Sequence, residues 1–238
     1  MNTFKGPFRM AWEDMRFMVL LMLSVTTLLF GFYIMMGMLL KVEGMRGVLF
    51  GPFYGLLVFY PLQVIKHTFP TFISFGGTRK QFVSANICVS LIFIVIGMFY
   101  LNILYAINQY FHDMGINTTN LFHLGDLIEP NHFIAYFWTD MLWGIFIIGL
   151  GMAVASVWHF FGTPKLLYGF TVLVLAFLAW WTLGYLTKFI SFIVNEHFVF
   201  VHVLAGIGVI GIAVSYFLMR NGPIERGAHI HVNLPTKN

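Results

Sequence analysis

Residues 170–181 read FTVLVLAFLAWW. Apolar side chains there occupy every face of any regular structure. A membrane barrel strand alternates apolar and polar residues over about ten positions, and this stretch does not. A helix that is apolar all round belongs in lipid, where only helices and closed barrels satisfy every backbone N–H and C=O.

The rest of the chain agrees. Of 238 residues, 59% are hydrophobic and 9% are charged, against about 25% charged in an ordinary soluble domain. Mean hydropathy is +0.84. Thirteen basic and nine acidic residues cannot clothe a soluble globule, which excludes a soluble enzyme, a disordered chain and a nucleic-acid-binding domain. The pI of 9.2 reflects a small basic excess and carries no nucleic-acid signal. The single Cys88 forms no internal disulfide and reads as a buried, inert thiol. Glu13 and Asp14, with no small-residue cleavage site after them, argue against a cleavable signal peptide.

A spanning helix needs about 20 mostly apolar residues. Six stretches qualify, near 17–40, 47–65, 83–107, 133–161, 166–187 and 198–219. The expected fold is therefore all-α: a single polytopic membrane domain over 1–238 with six transmembrane helices. Pro52 and Pro61 predict a bent or broken second span. The fourth is long enough to tilt. With the N-terminus inside, Lys5, Arg9, Arg16, Lys66, Arg79, Lys80, Lys165, Arg220, Arg226 and Lys237 lie inside; Lys41, Arg46 and Lys188 lie outside. Ten against three obeys the positive-inside rule and places both termini, including the 220–238 tail, in the cytoplasm.

Four segments outside or within these spans invite a functional reading. In 1–16, Phe4, Phe8, Ala11, Trp12 and Met15 share one helical face, opposite Lys5, Arg9, Glu13 and Arg16. That pattern predicts an interfacial helix on the inner membrane surface, or else an extension of the first span. The 66–82 loop, KHTFPTFISFGGTRKQF, places Phe69, Phe72 and Phe75 at steps of three after Lys66. Pro70 suits the first turn of a short helix, Gly76 and Gly77 stop it, and Arg79 and Lys80 follow. Exposed aromatics in such a loop need a membrane surface or a protein partner. The outer loop 108–132 holds His112, His123 and His132 with Asp113, Asp126 and Glu129. Their spacing matches no tight ligand motif, so no metal is expected. Within the spans, Asp140, Asn102 and His202 are candidates for a translocation path, because intramembrane polar groups are costly. For Asp140 the plainer reading is an interfacial carboxylate bonded to Thr139 or Trp138. Pairs of small residues four apart, Gly149/Ala153, Gly151/Ala155 and Gly211/Ser215, predict close helix contact.

No G-x-x-x-x-G-K-[ST], H-E-x-x-H or G-x-S-x-G occurs, which argues against a Walker-type ATPase, a zinc protease of that type and that class of serine hydrolase. The layout resembles the membrane permease subunit of bacterial ABC-type transporters, in the type-2 exporter superfamily. An N-terminal amphipathic segment (Phe4 to Arg16) precedes the first of six spans. The cytoplasmic loop between spans two and three carries S-x-G-x-[ST]-R and then a basic and an aromatic residue, here Ser74, Gly76, Thr78, Arg79, Lys80 and Phe82. The likeness covers the whole chain in layout and specific residues in 70–82. It implies a coupling helix that docks on a separate ATPase subunit, with Phe69, Phe72 and Phe75 as its apolar face and Arg79 and Lys80 as its anchor. It further implies two ATPase copies holding ATP and Mg, a second permease copy or paralogue, a bacterial inner-membrane location, and no catalysis or cofactor on this chain. The short 188–197 segment favours a small amphipathic or peptide-like substrate over a polysaccharide. Two other readings stay open: a haem-binding redox subunit, for which His159 and His202 lie at mismatched depths, and a non-transporting anchor or sensor.

Overall fold

The computed structural model describes residues 4–41, 46–128 and 132–223. Glu129, Arg226, Lys237 and most of the 220–238 tail lie outside them. Helix α1 runs Lys5–Met38, α2 Gly51–Gln63, α3 Phe69–Ser74, α4 Arg79–Asp113, α5 Phe133–Thr182, α6 Tyr185–Asn195 and α7 His197–Asn221. Two three-residue strands, β1 (Arg46–Val48) and β2 (Asn120–Phe122), pair in parallel with Gly47 opposite Leu121. Among the described residues the regular structure is helical apart from this pair, which the sequence did not announce. Leu121 is buried from the pair into the bundle.

Among the described residues, four helices are long and apolar enough to cross a membrane: α1, α4, α5 and α7. The expected six spans are thus not six separate helices, and two local causes account for this. Spans four and five lie in the single 50-residue α5, kinked at Gly162 with φ 80° and ψ 172°. Pro164, which has no backbone N–H to donate, fits the first turn of the helix that restarts after Gly162, and glycine takes the positive φ at the kink without the clash a Cβ would bring. The second span is the 13-residue α2. Pro52 sits at its start, where no donor is missed, while Pro61 sits inside it. A π-helical turn, Val64–Thr68, follows and carries the chain without a break into α3.

The N-terminal segment is not a separate interfacial helix either. It forms the first turns of α1. Pro7 falls in the first turn, where its absent N–H has no intrahelical partner to lose. Ala11 and Met15 are buried, and the Trp12 ring lies 4.6 Å from that of Phe93 on α4.

Helix α4 packs against α1, α5 and α7, burying Phe82, Val89, Ile94, Met98 and Leu101. The most extensive contact joins α5 and α7. A Cβ on Gly149 would stand 2.1 Å from the Gly208 carbonyl oxygen, and one on Gly211 2.6 Å from that of Gly149. Ser156 and Ser215 hydroxyls meet across the same seam at 2.6 Å. The small residues expected to mark helix contact do so within one chain. Beyond the kink, 163–182 and α6 are exposed on almost every side. Cys88, expected to be buried, is exposed on the outer face of α4.

Candidate functional site

The two ends of the bundle carry different chemistry. At the end holding Lys66, Arg79 and Lys80, the 66–82 segment is mostly helix. Residues up to Ser74 continue the α2 rod and Arg79 already begins α4. The corner between them turns at Gly76, whose φ is 79°. Gly77 lies under the Phe72 ring, where a Cβ would come 2.1 Å from it. Thr78 caps α4: its hydroxyl accepts from Gln81 N–H at 3.4 Å, and its own N–H donates back to Gln81 Oε1 at 3.3 Å. Arg79 and Lys80 occupy the first turn, where the helix dipole disfavours cations. Their placement therefore owes nothing to helix stability.

The three phenylalanines do not form one docking face. Phe69 is 0% exposed and Phe72 7%. Phe69 packs on Phe82 and edge-on to His159, and Phe72 packs on Phe82. Phe75 is 82% exposed. Steps of three sweep a helix surface by about 60° each, and Phe75 falls past the last turn, so it leaves the buried side. The exposed residues of the segment are Lys66, His67, Thr71, Ser74, Phe75, Gly76, Thr78 and Lys80. This end is tied to α1 by the Thr68 hydroxyl, which donates to Asp14 at 2.8 Å. Phe4 is exposed, and Phe8 links it to Trp12 in a row of rings.

At the other end a buried polar network holds the loop after α4. Asp140, 1% exposed, accepts from Asn102 Nδ2 at 2.6 Å, from His123 Nε2 at 3.0 Å and from Tyr54 OH at 3.4 Å. Gly125 N–H donates to His123 Nδ1 at 2.7 Å. The imidazole proton is therefore on Nε2, aimed at the carboxylate. Asp126 is a second hub: it accepts from Tyr105 OH at 2.8 Å, Tyr136 OH at 3.0 Å and His123 N–H at 3.2 Å. Thr119 and Thr118 donate to the Tyr33 and Gly37 carbonyls of α1. A Cβ on Gly37 would collide with Asn117. The loop is thus bonded into the bundle, and the network draws on α1, α2, α4 and α5.

Of the three expected path residues, the structure brings Asp140 and Asn102 together and puts His202 elsewhere. His202 is exposed and accepts from Trp138 Nε1 at 3.1 Å. Trp138 precedes Asp140 by two residues, about 200° around α5, so His202 and Asp140 lie on opposite faces. Asp140 also makes no bond to Thr139 or Trp138. Sequence reasoning missed Tyr54 and placed His123 only among metal candidates; they sit 86 and 17 residues from Asp140, beyond any local pattern. His159 Nε2 lies 2.9 Å from the Pro223 carbonyl.

No family model, no curated protein and no solved structure matches the chain.

Proposed function

We propose that this chain is the membrane permease subunit of an ATP-driven ABC exporter for a small amphipathic or peptide-like substrate. It sits in a bacterial inner membrane with six crossings and both termini cytoplasmic. A second permease and two ATPase subunits complete the assembly. ATP and Mg are held by the ATPase.

The observation that carries this reading is the corner at Phe75. An exposed aromatic beside Gly76 follows a rigid helical rod and immediately precedes a capped spanning helix. Such a corner offers an anchor for a partner groove, with no spring between it and the membrane. Force applied there reaches α2 and α4 directly, and α1 through the Thr68–Asp14 bond. Rigid-body movement of the spans would then alternate access. The limb 163–182 and α6 supply apolar surface to lipid or to the second permease.

Phe75→Asp tests it. Because the side chain is exposed, the variant's melting temperature should stay within about 2 °C of wild type, in keeping with surface substitutions. Co-purification with the ATPase and permease-stimulated ATP hydrolysis should fall at least about tenfold, the size expected for one interface anchor. Undiminished co-purification and stimulation by Phe75→Asp would sink the proposal.

A further inference from the structure

A groove runs between α1 and α2 on the outer face of the bundle. Its apolar part encloses about 450 Å³ along Phe17, Leu21, Gly55 and Phe59. It continues, through Phe17, Met18, Tyr60 and Gln63, into a polar mouth of about 370 Å³ that holds Glu13, Asp14 and Thr68. Phe17 and Leu21, like Gly55 and Phe59, are four apart, so the groove follows the helix axes. From Asp14 to Met22 it extends about 12 Å at the helical rise per residue. Both volumes fall in the range of small-molecule sites, about 300–1,000 Å³.

Two features go beyond an ordinary lipid-filled crevice. The first is Gly55, which faces open space: a Cβ there would meet nothing within 4 Å. The second is charge. This end of the bundle carries Lys5, Arg9, Arg16, Lys66, Arg79 and Lys80, yet its two described carboxylates, Glu13 and Asp14, both stand at this mouth. Arg16 matches Glu13 at 2.6 Å. Among the described residues no cation lies within ion-pair distance of Asp14, and the Thr68 hydroxyl holds its carboxylate in place. The rings of Phe17 and Tyr60 line the same mouth. A fixed carboxylate without a paired cation, at the end of an apolar groove, is the chemistry that suits an ammonium head.

We infer that this groove binds a single-chain cationic amphiphile, its ammonium head at Asp14 and its apolar chain along Gly55. As the place where a transported molecule is picked up from the inner leaflet, it rests on the permease reading above. As a binding site, it stands without it.

The test uses the full chain in neutral maltoside micelles with two spin-labelled probes of equal chain length, an alkyltrimethylammonium and an alkyl sulfate. Electron spin resonance reads the immobilised fraction of each. The wild type should immobilise the ammonium probe with at least about a tenfold preference over the sulfate, worth about 1.4 kcal/mol. Asp14→Asn, which still accepts from Thr68, should remove that preference. Gly55→Phe should remove immobilisation of the ammonium probe. Equal binding of the two heads, no binding of either, a preference that survives Asp14→Asn, or ammonium immobilisation that survives Gly55→Phe overturns the inference. Head-group preference in a chain that fails to couple to an ATPase would sink the permease reading and leave the groove intact. Coupling without preference would do the reverse.

Discussion

Asp140→Ala should lower the melting temperature by about 6–20 °C and free the outer loop. Three donors, from Asn102, His123 and Tyr54, converge on this one carboxylate, and the Asp140 and His123 side chains are 1% and 0% exposed. Removing the acceptor leaves those donors without partners. Breaking a buried, hydrogen-bonded pair costs about 3–5 kcal/mol, and about 2–4 °C is lost per kcal/mol in a chain of this size. Hydrogen exchange should accelerate over 120–128 before the rest of the bundle, because His123 is one of the links from that part of the loop to the helices. Asp140→Asn keeps the shape and one acceptor oxygen, and should fall between the two. A melting temperature for Asp140→Ala within about 2 °C of wild type would show that the network does not hold the loop.

Substituting Gly149 should be worse than its size suggests. Even a methyl group there meets the Gly208 backbone at 2.1 Å, a contact relieved only by moving α7 away from α5. Overpacking a fitted interface costs about 1–3 kcal/mol and occasionally more; here the obstruction is backbone, which cannot rotate aside. Gly149→Leu should therefore abolish a stable fold, and Gly149→Ala should melt several degrees below wild type. Gly206→Ala is the control on α7, because a Cβ there meets nothing within 4 Å. It should be neutral or slightly stabilising, as alanine is the better helix former. Similar melting temperatures for Gly149→Ala and Gly206→Ala would refute the close crossing.

Much of this architecture is legible without coordinates. The apolar run at 170–181 announces a helix for lipid because its composition acts within a few turns. Gly149 and Gly211 announce a tight helix contact because only small residues let backbones approach. The stop at Gly76 and Gly77 was readable too, since glycine ends a helix; the Thr78 cap of α4 is a finding of the structure. The Phe69, Phe72 and Phe75 series was readable as aromatic but not as split, since periodicity gives the spread of a face and not what covers it. Residues 1–16 carry an amphipathic pattern that suits a membrane surface and a neighbouring helix equally. The presence of Phe93 beside Trp12 decided between them.

What the sequence determined by itself is therefore local: a helical chain made for lipid, some of the glycines and prolines that break or bend it, and the residues small enough for close crossing. Only the tertiary structure decided the partners. It put His123, Asn102 and Tyr54 around Asp140, sent His202 to the opposite face, and joined Arg46–Val48 to Asn120–Phe122. It also opened a groove between Asp14 and Gly55. The physical reason is one of range. Backbone hydrogen bonds and apolar faces act within a turn or two, whereas a buried carboxylate takes whichever donors the packing of distant helices brings within about 3 Å.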